Sequence, residues 1–81
     1  MTRQLAPRIT VDPAVCHGEA CVAGTRVMVS VLLDCLADGM SAAEVLVEYP
    51  GLTTEDVTAA LAYAASVIRV DQELPLEAQA G

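Results

Sequence analysis

Apolar residues recur every three or four positions in the C-terminal part of the chain, a spacing typical of amphipathic helices. The longest such stretch predicts a helix over 54–70 with one apolar stripe: Val57, Ala60, Leu61, Ala64, Val67 and Ile68. Thr53 stands just before this helix, in the position of an N-cap. Glu55 and Asp56 lie in its first turn, where the helix dipole favours acids.

Two shorter helices are predicted before it. The first runs over 30–38, with Ser30 as its N-cap and Gly39 ending it in a left-handed conformation. In the second, Ser41 and Glu44 have the spacing of a capping box, in which each side chain accepts a hydrogen bond from an otherwise unpaired backbone N–H. A Pro-Gly dipeptide ends this second helix.

The N-terminal part of the chain has the alternation and the turn residues of short strands. Residues 9–11 predict a strand that a following Asp-Pro pair stops. Cys21–Val22 and 26–29 are two further β-prone stretches, and Gly24 supplies the tight turn between them. We therefore expect a small irregular β element over 9–29, which must lie on the helices or pair with another chain, because strands this short do not persist alone in water.

The predicted fold is mainly α, with a short N-terminal β element followed by three helices in one domain over 9–70. Residues 1–8 show little periodicity and are expected to form a flexible arm. Residues 71–81 are rich in acids and small residues and are expected to form a disordered tail. The helices at 41–49 and 54–70 make a helix-turn-helix in the geometrical sense.

Length and composition limit the possible functions. A chain of 81 residues and 8.4 kDa is one small domain, and a domain of this size hides only about 60–65% of the surface that its unfolded chain exposes. A second copy adds buried area, so we expect a homodimer. Two tyrosines are the only aromatic residues, so there is no stacking platform for bases.

The chain carries a formal charge of −7, with 11 acidic residues, 4 arginines and no lysine. Such a charge repels phosphate backbones and attracts basic protein surfaces. DNA binding is therefore disfavoured, and a partner protein with a basic surface is favoured.

The sequence shows no signal for export or for a membrane. Its first residues lack the apolar stretch of a signal peptide, and its longest apolar run is far shorter than the ~20 residues that a membrane-spanning helix needs. We expect a cytoplasmic protein without membrane contact, whose three cysteines meet a reducing environment.

Cys16, His17 and Cys21, with Cys35 as a fourth ligand, make up the soft ligand set of a possible zinc site. Neighbouring residues in an extended segment point to opposite sides, so Cys16 and His17 rarely bind one metal. We favour the interpretation that Cys21 and Cys35 are small buried groups and that His17 is a loop residue. A catalytic Cys-His pair needs a pocket that so small a core does not offer, and no phosphate-binding glycine loop is present. We therefore expect no enzyme, no metal and no cofactor.

Arg26 follows Gly24 and Thr25 at the start of a β-prone stretch, and two interpretations of it remain open. In the first interpretation, Arg26 is a surface arginine whose guanidinium pairs with one of the many acids of the chain. Alternatively, its guanidinium bridges carboxylates or backbone carbonyls and fixes the β element onto the helices or across a dimer.

Several of these features occur in one order that is similar to a known family. They are Ile-Thr-Val-Asp-Pro at 9–13, Gly-Thr-Arg-Val-Met-Val at 24–29, Asp-Gly-Met-Ser at 38–41 and Tyr-Pro-Gly-Leu-Thr-Thr-Glu-Asp-Val at 49–57. From 9 to 63, the chain resembles the domain of unknown function 433 family, a group of VapB-like antitoxins.

The resemblance implies a homeodomain-like helix-turn-helix bundle, often dimeric, and an antitoxin that binds a PIN-like toxin encoded beside it. It also marks Gly24, Thr25 and Arg26 as the motif turn of the family. The chain departs from the family at 17–20, His-Gly-Glu-Ala, where Gly-Gly-Lys-Pro is usual, and at Ala23, where arginine is common. These changes remove two cations, so a protein partner of this turn is expected to be more basic.

Two functions of different classes follow. In the first, an antitoxin-like dimer covers the basic RNA-binding groove of a PIN-like nuclease with four acids: Glu44, Glu48, Glu55 and Asp56. In the second, a helix-turn-helix repressor binds its own operator, despite the net charge, through five side chains: Arg3, Arg8, Arg26, Thr54 and Thr58.

Overall fold

A small β-sheet precedes three helices in the computed structural model, which describes residues 1–71 and the side chains of residues 1–69. The elements are, in chain order, β1 (Arg3–Ala6), β2 (Ile9–Val11), a 3-10 turn (Cys16–Gly18), β3 (Cys21–Val22), α1 (Val29–Ala37), α2 (Ala42–Glu48) and α3 (Thr54–Asp71). The predicted β element followed by three helices is confirmed. The predicted tail at 71–81 lies outside the described residues, apart from Asp71, which ends α3.

The three strands form one antiparallel sheet in the order β1-β2-β3. The register of its first pair joins Arg3 to Val11, Gln4 to Thr10 and Ala6 to Ile9. Ile9 also pairs with Val22 of β3 and is fully buried. The predicted flexible arm at 1–8 is therefore wrong. Leu5 and Ala6 pack against the core, so pairing with β2 buries apolar surface that a free arm would leave in water.

Helix α1 begins one residue earlier than predicted and without a side-chain cap. Met28 has extended backbone angles and forms an isolated antiparallel bridge with Cys21, so helical geometry starts at Val29. The predicted N-cap role of Ser30 is wrong. The β-prone stretch at 26–29 is confirmed only in part, because Met28 pairs with Cys21 through the isolated bridge whereas Val29 is already helical. The bridge to β3 fixes where the extended chain ends, and this contact is not local in sequence.

The end of α1 and the start of α2 follow local sequence signals. Gly39 has a φ of +99°, and the N–H groups of Gly39 and Met40 donate to the carbonyl oxygens of Leu36 and Cys35 at 3.0 and 3.1 Å. This is the Schellman motif, in which a residue tolerant of left-handed angles ends the helix. Ser41 then caps α2, as predicted.

The core lies between the sheet and the three helices. Its buried members are all aliphatic: Ile9, Val22, Val29, Leu32, Val45, Leu52, Val57 and Ala60. The three helices contact one another, and α3 also contacts β2. Val57 and Ala60 are the buried core members on α3 and both belong to its first half, whereas Tyr63 in the second half is only partly buried against the core.

The helices differ in length. α3 has 18 residues, against 9 in α1 and 7 in α2. At 1.5 Å per residue α3 is about 27 Å long, twice the length of α1. α1 and α2 are thus too short to cover the whole of α3, and Val67 and Ile68 in its second half are 43% and 53% exposed. Within residues 1–71, no helix has both the length and the apolar character needed to cross a lipid bilayer.

Candidate functional site

Helix α2 and the first turn of α3 carry the four acids that the sequence suggested for partner binding, and two of them take part in helix caps. The Glu44 N–H donates to the Ser41 hydroxyl at 3.1 Å, and the Glu44 carboxylate accepts from the Ser41 N–H at 2.8 Å. Asp56 and Thr53 form the same reciprocal pair at the start of α3, at 3.2 and 3.0 Å. These bonds satisfy backbone donors that a helix start leaves unpaired.

Asp56 is also bound to a residue 48 positions away in the sequence. Arg8 Nη1 lies 3.0 Å from Asp56 Oδ1, so one carboxylate caps α3 and holds the β1–β2 turn against it. Arg8 has a φ of 67°, a left-handed angle that is uncommon for residues other than glycine. The ion pair thus fastens the sheet to the start of α3.

The surroundings of Asp56 keep its carboxyl group ionised. Asp56 is only 8% exposed, and this burial raises its pKa. Hydrogen bonds from the Thr53 backbone and from the Arg8 guanidinium outweigh the burial, so the pKa of Asp56 lies below its ordinary value. The charge of Asp56 is therefore compensated within the chain.

Glu48 and Glu55 differ from the capping acids because their carboxylates accept no capping hydrogen bond. Both are exposed, and neither forms an ion pair with the side chains that the structure describes. Glu48 ends α2 and Glu55 lies in the first turn of α3, so they flank the turn. Glu44 lies one helical turn before Glu48 on the same face of α2. We call Glu44, Glu48 and Glu55 the acidic surface. Arg8 does not offset its charge, because the guanidinium is bound to Asp56.

The motif turn at Gly24, Thr25 and Arg26 joins β3 to the segment that leads into α1. Gly24 has a φ of +77° with open space around it, so its backbone angle alone favours glycine. The Thr25 hydroxyl donates to the Val22 carbonyl oxygen at 2.8 Å and accepts from the Val27 N–H at 3.1 Å. Arg26 is exposed and forms no ion pair with the described side chains. Gly24 and Thr25 therefore shape the turn, whereas the Arg26 guanidinium does not hold it.

Three of the five side chains predicted for operator contact line one surface groove. Arg8, Thr54 and Thr58 line this groove of about 450 Å³ together with Glu55. Arg3, on β1, and Arg26 do not line it. The fold thus brings together only part of the predicted set, with a carboxylate among its members.

Cys16 and His17 lie in the 3-10 turn with left-handed φ angles of 53° and 56°. The Cys16 thiol donates to the Arg26 carbonyl oxygen at 3.2 Å, and His17 is exposed in this loop, as predicted. Cys21 is buried, also as predicted, and this burial, together with the neighbouring Cys16 thiol, raises the pKa of Cys21 to about 12. A thiol with such a pKa is not ionised at neutral pH, whereas the thiolate is the form that binds metals or attacks substrates. Within the described part of the chain, no three His, Cys, Asp or Glu side chains come together as a metal site.

One surface was not predicted, an apolar groove beside the second half of α3. It has a volume of about 460 Å³, and its main apolar lining comes from β1, α1 and α3: Leu5, Val29, Leu33, Tyr63, Val67 and Ile68. The periodicity predicted the apolar stripe of α3 but not which part of it is covered. The available signal was length, because a helix predicted over 54–70 is about twice as long as the other two predicted helices. We call this surface the apolar groove.

Comparisons with known proteins agree with the fold. The family model described as "Protein of unknown function (DUF433)" matches residues 9–64. The chain is also similar to a solved structure of a DUF433 member protein from Anabaena variabilis ATCC 29413, with 37% sequence identity and a TM-score of 0.71. The match covers 82% of this chain and 66% of that chain, so this chain spans about two thirds of that protein. No curated protein matches the chain.

Proposed function

This chain belongs to the DUF433 family of proteins of unknown function, and from that premise we propose that it is an antitoxin-like interaction protein. It binds and neutralises a partner protein, a PIN-like nuclease, by covering the basic RNA-binding groove of that nuclease with the acidic surface. The proposed place of action is the cytoplasm. The observation that carries the proposal is that Glu48 and Glu55 are exposed without an ion-pair partner among the described side chains, while Arg8, which lines a groove with Glu55, is already bound to Asp56.

Electrostatic complementarity makes the association of such a surface with its partner both fast and selective. A basic groove that binds RNA attracts carboxylates for the same reason that it attracts phosphates, and opposite potentials steer the encounter. The formal charge of −7 supplies the long-range field, and the acidic surface supplies the local contact. Glu44 also contributes to this local contact although it caps α2. Its carboxylate can accept further hydrogen bonds besides the one from the Ser41 N–H.

The test is co-expression of the tagged chain with the product of the adjacent gene, followed by purification and an RNA-cleavage assay of that product. We expect a complex in which cleavage is suppressed. The double variant Glu48→Lys and Glu55→Lys is expected to weaken the complex by about a hundredfold, because two attractive contacts become repulsive, and to restore cleavage.

The matched control reverses two exposed acids on α1, Asp34→Lys and Asp38→Lys, and changes the net charge by the same amount. This control is expected to keep the complex within about threefold, because it alters only the screened long-range field. Equal loss in both variants would show that net charge alone acts. An unchanged complex after reversal of Glu48 and Glu55 would refute the proposed contact.

A second candidate function is an operator-binding repressor with a homeodomain-like helix-turn-helix. The observation that favours it is the common groove of Arg8, Thr54 and Thr58 at the start of α3. The Arg8–Asp56 ion pair and the presence of Glu55 in this groove oppose it, because a DNA-reading helix needs a net positive footprint. We therefore place it second.

A mobility-shift assay with duplex DNA from the promoter of its own gene, at low salt, separates the two functions. The repressor requires a shift by the isolated chain that Glu55→Gln strengthens and that added salt removes. The interaction protein requires no such shift. A salt-sensitive shift together with an intact complex after reversal of Glu48 and Glu55 would replace the first function with the second.

A further inference from the structure

Two of the free cysteines lie at the two ends of one short loop. Cys16 begins the 3-10 turn and Cys21 begins β3. Left-handed φ angles at Cys16 and His17 turn the chain back on itself, and the Glu19 N–H donates to the Cys16 carbonyl oxygen at 2.9 Å. The loop between the two cysteines is therefore compact.

Both thiols lie against the same stretch of chain. Residues 26–28 run antiparallel beside β3, with Met28 bridged to Cys21. The Cys16 thiol reaches this stretch from the 3-10 turn and donates to the Arg26 carbonyl oxygen at 3.2 Å. At that position it is also close enough to the Cys21 thiol for a weak hydrogen bond. The fold thus places the two thiols side by side.

The two thiols differ in exposure, and this difference sets the order in which they react. Cys16 is half-buried, whereas Cys21 is only 4% exposed. An oxidant dissolved in water therefore meets Cys16 first, and Cys21 stands beside it as a resolving thiol. Cys35 is not part of this pair, because it belongs to α1 and packs against the core.

We propose that Cys16 and Cys21 form a redox site that a hydroperoxide converts into a disulfide within one chain. In the first step, the Cys16 thiolate attacks a peroxide oxygen. The S–O bond forms, the O–O bond breaks, and the departing oxygen takes a proton and leaves as water or an alcohol. Cys16 is then a sulfenic acid.

In the second step, the Cys21 sulfur attacks the Cys16 sulfur. The S–S bond forms, the S–O bond breaks, and the released hydroxide takes the Cys21 proton to become water. The two thiols together lose two electrons, which the peroxide gains.

The surroundings of Cys21 suit the second step and not the first. Burial and the neighbouring Cys16 thiol raise the pKa of Cys21 to about 12, so Cys21 stays protonated and does not attack the peroxide itself. Hydroxide is a stronger base than a thiolate with this pKa, because the pKa of water is about 15.7. The leaving hydroxide can therefore remove the Cys21 proton while the disulfide forms.

Oxidation also changes the motif turn. A disulfide sulfur carries no proton, so the hydrogen bond from Cys16 to the Arg26 carbonyl oxygen is lost. The motif turn then loses a contact with the 3-10 turn. In a reducing environment both thiols persist, so the disulfide reports the presence of a peroxide. This inference does not rest on the proposed function, because the acidic surface takes no part in it.

The experiment treats the dilute full chain with hydrogen peroxide, blocks the remaining thiols with iodoacetamide and maps the products by mass spectrometry. Cleavage after Glu19 and after Arg26 places each cysteine on its own peptide. We expect the loss of two hydrogen atoms, a link between the peptides of Cys16 and Cys21, and alkylation of Cys35. Dithiothreitol is expected to restore the reduced form.

The matched control is Cys35→Ala, which is expected to form the disulfide within about threefold of the native rate. Cys21→Ala removes the resolving thiol and is expected to stop at oxidised forms of Cys16 without a link. Without peroxide, Cys21 in Cys16→Ala is expected to react with iodoacetamide at least about tenfold more slowly than Cys16 in Cys21→Ala, because it is buried and protonated.

Circular dichroism confirms that each variant is folded, and the peptide map of the native chain decides the question if a variant does not fold. The inference is overturned if peroxide leaves the native thiols unchanged, links Cys16 to Cys35, joins two chains, or oxidises Cys16 without forming a disulfide. Equal alkylation rates of Cys16 and Cys21 would overturn the proposed order of reaction.

Discussion

The two ends of α3 differ in how far other residues of the chain cover their apolar side chains. At the N-terminal end, Thr53 and Asp56 cap the helix, Arg8 neutralises the carboxylate, and Val57 is buried beneath them. At the other end, Val67 lies on the same apolar stripe but remains 43% exposed. Among the residues that the structure describes, the start of α3 is thus capped and buried by other parts of the chain, whereas apolar side chains toward its end stay partly exposed.

The difference teaches that an apolar stripe does not by itself define a core. The stripe is continuous along α3, but the elements that cover it are half as long. Where they cover α3, the stripe contributes to the stability of the monomer. Where they do not, side chains of the same stripe such as Val67 and Ile68 remain exposed to water, and the predictions below compare the stability that each end of the helix contributes.

The largest expected effect is at the capped end. Asp56→Ala removes the carboxylate half of the capping pair of α3, leaves the Thr53 N–H without its acceptor and releases Arg8. We expect the free energy of unfolding to fall by about 2–3 kcal/mol, as a lost cap plus an unsatisfied donor. Urea denaturation measures it. A loss below about 0.5 kcal/mol would show that the buried carboxylate is not what holds the sheet to α3.

A matched pair of valines compares the two halves of the helix directly. Val57→Ala is expected to cost about 2 kcal/mol because Val57 is 3% exposed. Val67→Ala is expected to cost less than about 0.5 kcal/mol in the monomer, and the helix propensity gained is equal in both. Both are measured by urea denaturation at one low protein concentration. Equal costs would contradict the distinction between the two halves.

The pH dependence of stability isolates the charge of Asp56. Its pKa is lowered by folding, so its contribution is fully present above the ordinary Asp pKa of about 3.9 and is lost as the pH falls through the lower folded value. We expect the native protein to lose stability relative to Asp56→Asn as the pH falls from 5 to below that folded pKa. Urea midpoints for both proteins across this range provide the measurement. Parallel curves would contradict the assignment.

The smallest expected effect on stability is at Glu55. Glu55→Gln removes an exposed acid from the first turn of α3 and is expected to cost about 0.3–0.5 kcal/mol through the helix dipole. Thermal denaturation measures this change. A much larger loss of stability would mean that Glu55 stabilises the fold, as Asp56 does, and is not an exposed acid that is free to contact a partner.

The sequence alone determined the features whose partners lie within a few residues. Gly39 ended α1, Ser41 and Glu44 formed their capping box, and the start of α3 followed from Thr53 and the acids after it. These signals are readable because a helix cap satisfies backbone groups three or four residues away. The predicted number and order of helices were correct for this reason.

Only the tertiary structure decided the features that join distant segments. Arg8 was predicted to lie in a flexible arm and instead binds Asp56 from a turn between two strands. The start of α1 was set by a bridge to β3, not by Ser30. The uncovered end of α3 depends on how far α1 and α2 extend along it. Each of these features depends on a contact between segments that are distant in the sequence. Neither segment contains a local sequence pattern that predicts the contact, so the features form only when the whole chain packs.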